Sequence, residues 1–225
     1  MQQTGTSAAT QPVTTAANDR KQQMAPKVLV LIYSMYGHIT QLARHEVQGV
    51  KKAGVHCDLM RVPETLPEEV LKKMNAPPKP EDIPVLQDPA KLAEYDGILF
   101  GYPTRYGQSP AQMSAFWDAT GRLWMSGALQ GKAAGIFVST STMQGGQETT
   151  ALTALTRFVH HGMIFVPLGY ADPSMMDMSQ VHGGTPYGAS TFAGPDGSRQ
   201  PSEMELRLAE IQGERFANFV KKIAS

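Results

Sequence analysis

Lys27-Val-Leu-Val-Leu-Ile-Tyr33 runs without a break into Ser34-Met-Tyr-Gly-His-Ile-Thr40, and this junction decides the fold. The first half is an aliphatic, β-branched run of the kind that suits a strand covered on both faces of a parallel sheet. Beyond it, Ile39, Leu42, Ala43, Val47 and Val50 fall on one helical face, and Gly54 follows as a stop. A strand that turns into a helix N-terminus makes a place for an anion. Free backbone N–H groups and the helix dipole bind phosphate there without Lys or Arg. Ser34 and Thr40 add hydroxyl donors, and Gly37 lets the backbone approach closely. The loop is neither G-x-G-x-x-G nor G-x-x-x-x-G-K-[ST], which disfavours a dinucleotide Rossmann site and a P-loop nucleotidase. No Asp ends the strand, as a phosphorylatable receiver would need. Taken alone, the loop reads equally well as a plain strand–helix turn.

Working outward, the same alternation continues. Val55 to Val62, Tyr95 to Gly101, Ala133 to Val138 and Met163 to Pro167 read as four more strands. Helical patterns lie between them, one after Pro110 with Met113, Phe116 and Trp117, another from Gln147 to Val159. The Pro-rich stretch 63–89 leaves room for a short helix around Glu68 to Lys73. Gly169 to Pro201 reads as a long loop, functional or disordered. The last helix runs from about Ser202 to Ile223, with Ser202 and Glu205 forming a capping box. The expected architecture is α/β: a doubly wound, five-stranded parallel sheet with helices on both faces.

The chain has 225 residues, enough for one α/β domain, assigned to 26–225. Residues 1–25, rich in Gln, Thr and Ala, read as a disordered tail without the apolar block of a secretory signal. Lys+Arg and Asp+Glu both number 20, so the net charge is zero. That balance argues against nucleic acid as a partner. No apolar run is long enough for an integral membrane segment. The one cysteine, Cys57, sits in a strand-like run and has no second thiol to pair with. A cytoplasmic setting is expected, and no metal site is expected.

Several segments together carry a resemblance. Lys27 to Ile39, Phe100-Gly-Tyr-Pro-Thr-Arg-Tyr-Gly107 and Thr120-Gly-Arg-Leu-Trp-Met-Ser-Gly-Ala-Leu129 are three of them. Gly145-Gly-Gln-Glu148, His160-His-Gly-Met163, Gly183-Gly-Thr-Pro-Tyr-Gly188 and Ala193-Gly-Pro-Asp-Gly-Ser-Arg-Gln-Pro-Ser202 follow in order. From about Lys27 onward the chain resembles the WrbA-type NAD(P)H:quinone oxidoreductases, a flavodoxin-like family. The resemblance implies FMN as cofactor, NADH or NADPH as electron donor, quinones as acceptors and a homotetramer. The implied reaction is ping-pong: the nicotinamide nucleotide gives up two electrons and leaves, and a quinone then becomes a hydroquinone. A flavodoxin-like electron carrier, or a regulatory flavin-binding module, is the alternative.

By the same resemblance, Ser34, Met35, Tyr36, Gly37, His38 and Ile39 hold the FMN phosphate. Pro103, Thr104, Arg105, Tyr106 and Gly107 wrap the flavin ring. Ser139, Thr140, Ser141, Thr142, Gln144 and Gly145 form a loop against ribityl and ring atoms. The family's loop is richer in Gly at Ser141, Met143 and Gln144 and one residue shorter. His160 is implied at the flavin and substrate pocket, as a cofactor contact and proton donor. Tyr36 is implied at the nicotinamide nucleotide, and Trp124 and Tyr170 at the quinone, with Trp124 reaching an adjacent subunit. Beside His160, His161 reads as a helix C-terminal cap.

Overall fold

The computed structural model describes residues 25–224, so the expected tail lies almost wholly outside the described residues. Strand β1 (Lys27–Ile32) is the first element, and its side chains alternate between two cores. Val28, Val30 and Ile32 face one, Leu29 and Leu31 the other. That is the period-2 consequence of a strand buried on both sides. It pairs in parallel with β2 (His56–Arg61) and β3 (Gly97–Pro103). Strand β4 (Ala133–Thr140) extends the sheet beyond β3. With the short β5 (Ile164–Phe165) beyond β4, the order is β2-β1-β3-β4-β5, doubly wound, with the reversal in strand order beside β1 and β3.

Helix α1 (His38–Lys52) and α6 (Glu203–Ala224) cover one face, and α3 (Ala111–Asp118) and α5 (Gln147–His160) the other. Between them in sequence lie the short helices α2 (Glu68–Lys73) and α4 (Gly121–Ser126). Helices α1 and α6 touch backbone to backbone. A Cβ on Gly213 would sit 2.1 Å from the Glu46 carbonyl oxygen, so only glycine permits this approach.

The fifth position of the sheet differs from expectation. Only Ile164–Phe165 of the expected strand Met163 to Pro167 pairs, as β5, against Ala133 and Ala134. Pro167 has no N–H to extend the ladder. The outer edge of β4 is completed by β6 (Ser190–Phe192), which pairs with Val138, Ser139 and Thr140. Strand β6 lies inside the segment read as a loop. Its Ser190 and Thr191 are fully buried and so give no apolar signal. Their hydroxyls are satisfied by Gln147 and by Glu205 Oε2, the latter at 2.8 Å. Burial of these groups costs little once they are hydrogen-bonded.

Candidate functional site

The carboxyl ends of β1, β3, β4 and β6 open into one cleft of about 680 Å³. Its floor is the end of β1. Gly37, the N-cap of α1, has φ +93°, which glycine adopts without strain. The turn is closed by the Gly37 N–H donating to Ser34 Oγ at 3.2 Å. Among the described residues, the backbone N–H groups of Met35, Tyr36, His38 and Ile39 find no acceptor. The first turn of α1 holds no acidic residue. Open donors and an uncompensated helix dipole point at the same space, an arrangement built for an anion.

Pro103, Thr104 and Arg105 form one wall. Thr104 N–H donates to Ser139 O at 2.8 Å, which continues the β3–β4 ladder into the loop. Thr104 Oγ1 in turn accepts from Gly107 N–H at 3.0 Å. Arg105 Nη1 donates to Thr104 O at 2.8 Å, so its guanidinium stays at the wall. Ser139, Thr140 and Ser141 form the next wall.

Not every residue of these loops reaches the cleft. Tyr106 sits at the tip of a tight turn with φ +55° and is fully exposed, while Gly107 is buried against Thr149. Thr142, Gln144 and Gly145 make an exposed turn beyond the cleft. Its geometry is local: Thr140 Oγ1 donates to Thr142 O, and Gly145 N–H donates to the same oxygen.

Two walls are built by residues outside the expected site set. Met74 and Asn75, just past α2, stand at the mouth, and Tyr36 Oη donates to Met74 O at 3.1 Å. Asn75 has φ +52°, which its short polar side chain tolerates. Its place before Ala76-Pro77-Pro78 is a turn signal, without any hint of a site. The segment 193–197 closes the far side. It is anchored through Arg199, whose guanidinium pairs with the buried Glu205 at 2.9 Å and lies 3.8 Å over the Phe192 ring. Glu205 also accepts from Ser202 N–H, while Glu205 N–H donates to Ser202 Oγ, the expected capping box. One carboxylate thus starts α6 and fastens a wall of the cleft. His38 Nε2, 2.8 Å from Arg199 O, ties that wall to the β1 loop.

His160, Trp124 and Tyr170 do not line this cleft. His160 is exposed at the far end of α5, whose 14 residues carry it about 20 Å from the cleft side. It borders a separate hollow of about 240 Å³ with Trp117, Asp118, Thr156, Arg157 and His161. Trp124 is 58% exposed on α4, beside exposed Met125, and Val159 next to His160 is 72% exposed. His161 caps α5, as expected, but is buried, with Nε2 3.0 Å from Thr120 Oγ1. Burial, and then the neighbouring His160, lower its pKa. Tyr170 is also largely exposed.

A family model described as NADPH-dependent FMN reductase matches residues 26–174. The chain is 57% identical over 201 residues to NAD(P)H quinone oxidoreductase PST3 of Candida albicans, covering 88% of this chain and 100% of that one. It is 56% identical over 201 residues to Minor allergen Alt a 7 of Alternaria alternata, covering 88% of this chain and 98% of that one. Among solved structures, a WrbA-like flavodoxin from Agrobacterium tumefaciens superposes with a TM-score of 0.61 at 22% identity. That superposition covers 88% of this chain and 99% of the other, and it speaks for the fold.

Proposed function

Because this chain belongs to the NADPH-dependent FMN reductase family, we propose that it is an FMN-dependent NAD(P)H:quinone oxidoreductase. One observation carries the reading: a row of backbone N–H groups without acceptors, at the N-terminus of α1, facing a cleft large enough for a flavin mononucleotide. Met35, Tyr36, His38 and Ile39 would take the phosphate through those groups. Pro103 to Arg105 would edge the ring, and Ser139 to Ser141 would flank the ribityl chain. Bound there, FMN would supply two-electron transfer between a nicotinamide and a quinone. Arg105 would set a positive charge beside the ring, and half-exposed Tyr36 would meet the nicotinamide nucleotide.

The cofactor is tested by purifying the protein, reading its absorbance near ~450 nm, and identifying the heat-released flavin by mass. FMN is expected, and FAD at full occupancy would overturn the assignment. Steady-state NADH or NADPH oxidation with benzoquinone separates an enzyme from an electron carrier, which would show no turnover.

We also propose a homotetramer in the cytoplasm, with each site completed by a neighbouring copy. Trp124, Met125 and Val159 expose apolar surface around His160, and such clustered patches mark interfaces. If His160 and Trp124 meet flavin and quinone, as the family resemblance implies, they do so from another subunit. No helix among the described residues is long and apolar enough to cross a membrane. The thiol of Cys57, pushed up to about 12 chiefly by burial, stays protonated and is a poor nucleophile.

A further inference from the structure

The loop Ser34–Thr40 contains no Lys or Arg, yet a cation stands directly behind it. Lys79, from the Pro-rich stretch, donates from Nζ to Ser34 O at 2.7 Å. The same Nζ is 3.3 Å from Glu64 Oε2 and 4.9 Å from the centre of the Tyr33 ring. Lys79 and Glu64 side chains are only 17% and 16% exposed. Glu64 is itself held by Tyr33 Oη at 2.9 Å, Gln112 Nε2 at 2.7 Å and the Leu66 N–H. Burial pushes Lys79 down, opposed by Glu64. Burial also pushes Glu64 up, but its hydrogen bonds and Lys79 outweigh that and hold it ionised. This is a fixed, largely desolvated cluster, unlike a loose surface ion pair worth little.

The geometry gives Lys79 a task. In a trans peptide the C=O of one residue and the N–H of the next point in opposite directions. Lys79, which does not line the cleft, holds the Ser34 carbonyl on its own side of the loop. The Met35 N–H is therefore aimed at the other side, into the cleft that Ser34 and Met35 line. The same contact keeps the carbonyl's negative end away from an incoming anion and adds a positive charge behind it.

We propose that Lys79 is a positioning residue for the phosphate of the bound flavin, acting through the Ser34–Met35 peptide. The inference rests on the FMN reading above and is tested so that the two fail separately. FMN and riboflavin, which lacks the phosphate, are titrated into the flavin-free full chain by fluorescence quenching. Wild type is expected to prefer FMN strongly; equal affinity for both would sink the FMN reading and this inference with it. With Lys79→Met, FMN affinity should fall about tenfold, the scale of one charge-assisted hydrogen bond, while riboflavin affinity stays put. Lys79→Arg should recover most of the loss. An FMN affinity unchanged from wild type, or an equal loss for both flavins, overturns the proposal and leaves a loop fastener. Should the Met variant fail to fold, Lys79→Gln, which keeps a donor but not the charge, carries the same comparison.

Discussion

The loop Ser34–Ile39 and the surface bearing Trp124 and His160 lie at opposite ends of the sheet and are built in opposite ways. The loop is made of backbone: a left-handed Gly37, a Ser34 hydroxyl closing the turn, and N–H groups left open by helix geometry. All its parts come from neighbouring residues, with Lys79 and the Arg199 carbonyl bracing it from outside. The surface at the amino ends of the strands presents side chains to solvent: Trp124, Met125, Val159 and His160. Its residues cover each other poorly. A backbone site can be complete within one chain, whereas an exposed side-chain surface of this kind is what the proposed homotetramer would cover.

The sharpest way to break the comparison is Gly37→Val. No atom lies within 4 Å of a Cβ placed there, so the fold should survive. A β-branched residue resists φ +93°, and the turn should open. FMN affinity is expected to fall about a hundredfold, from strain and misplaced donors together. Normal flavin content in the purified variant would show that the loop is not the phosphate site.

At the other end, His160→Ala should leave flavin content close to normal while quinone turnover falls about tenfold, modest for a lost proton donor. Unchanged rates in both half-reactions would reduce His160 to a helix-end charge. Dilution sharpens the contrast without mutation. As sedimentation reports dissociation of the tetramer, activity should fall several-fold in step, with the flavin still bound. A fully active monomer at nanomolar concentration would remove the shared-site proposal and leave the backbone site standing.

The smallest effect concerns the support beneath that surface. Thr120 Oγ1 already donates to Trp117 O, so His161 donates from Nε2 and its buried Nδ1 has no partner. Protonating Nδ1 would bury an unmatched charge. Its folded pKa is lowered from the ordinary 6.5, so the stability it gives is full above 6.5 and is lost as pH falls through the lower folded value. The drop in Tm between pH 7 and pH 5 should therefore be smaller in His161→Gln, by about 2 °C. An identical drop in both proteins would mean that His161 takes up its proton as readily in the folded protein as in the unfolded chain.

How far the sequence could be read depends on what kind of signal each part carries. Strand β1 announces itself because both its faces are buried, leaving an unbroken apolar run. Helix α2 matches the expected Glu68 to Lys73 because prolines bound the only stretch able to coil. Strand β6 was invisible because Ser190 and Thr191 are buried through partners 14 and more residues away. At the end of β4 and in the turn after it, Ser139 to Ser141 face the cleft while Thr142 to Gly145 turn outward, a division no residue type encodes.

The sequence by itself determined the layers, the parallel sheet, the strand–helix junction at Ser34–Thr40 and the family, since each rests on local periodicity or on residues adjacent in the chain. Only the tertiary structure decided which loop residues face the cleft, that 74–75 and 193–197 complete its walls, and that Lys79 stands behind Ser34. It also set His160 apart from the cleft it was expected to join. The physical reason is one of range: a hydrogen bond within a turn is specified by neighbours in the chain. The reach of a side chain across 45 residues, as from Lys79 to Ser34, is specified by how the layers pack.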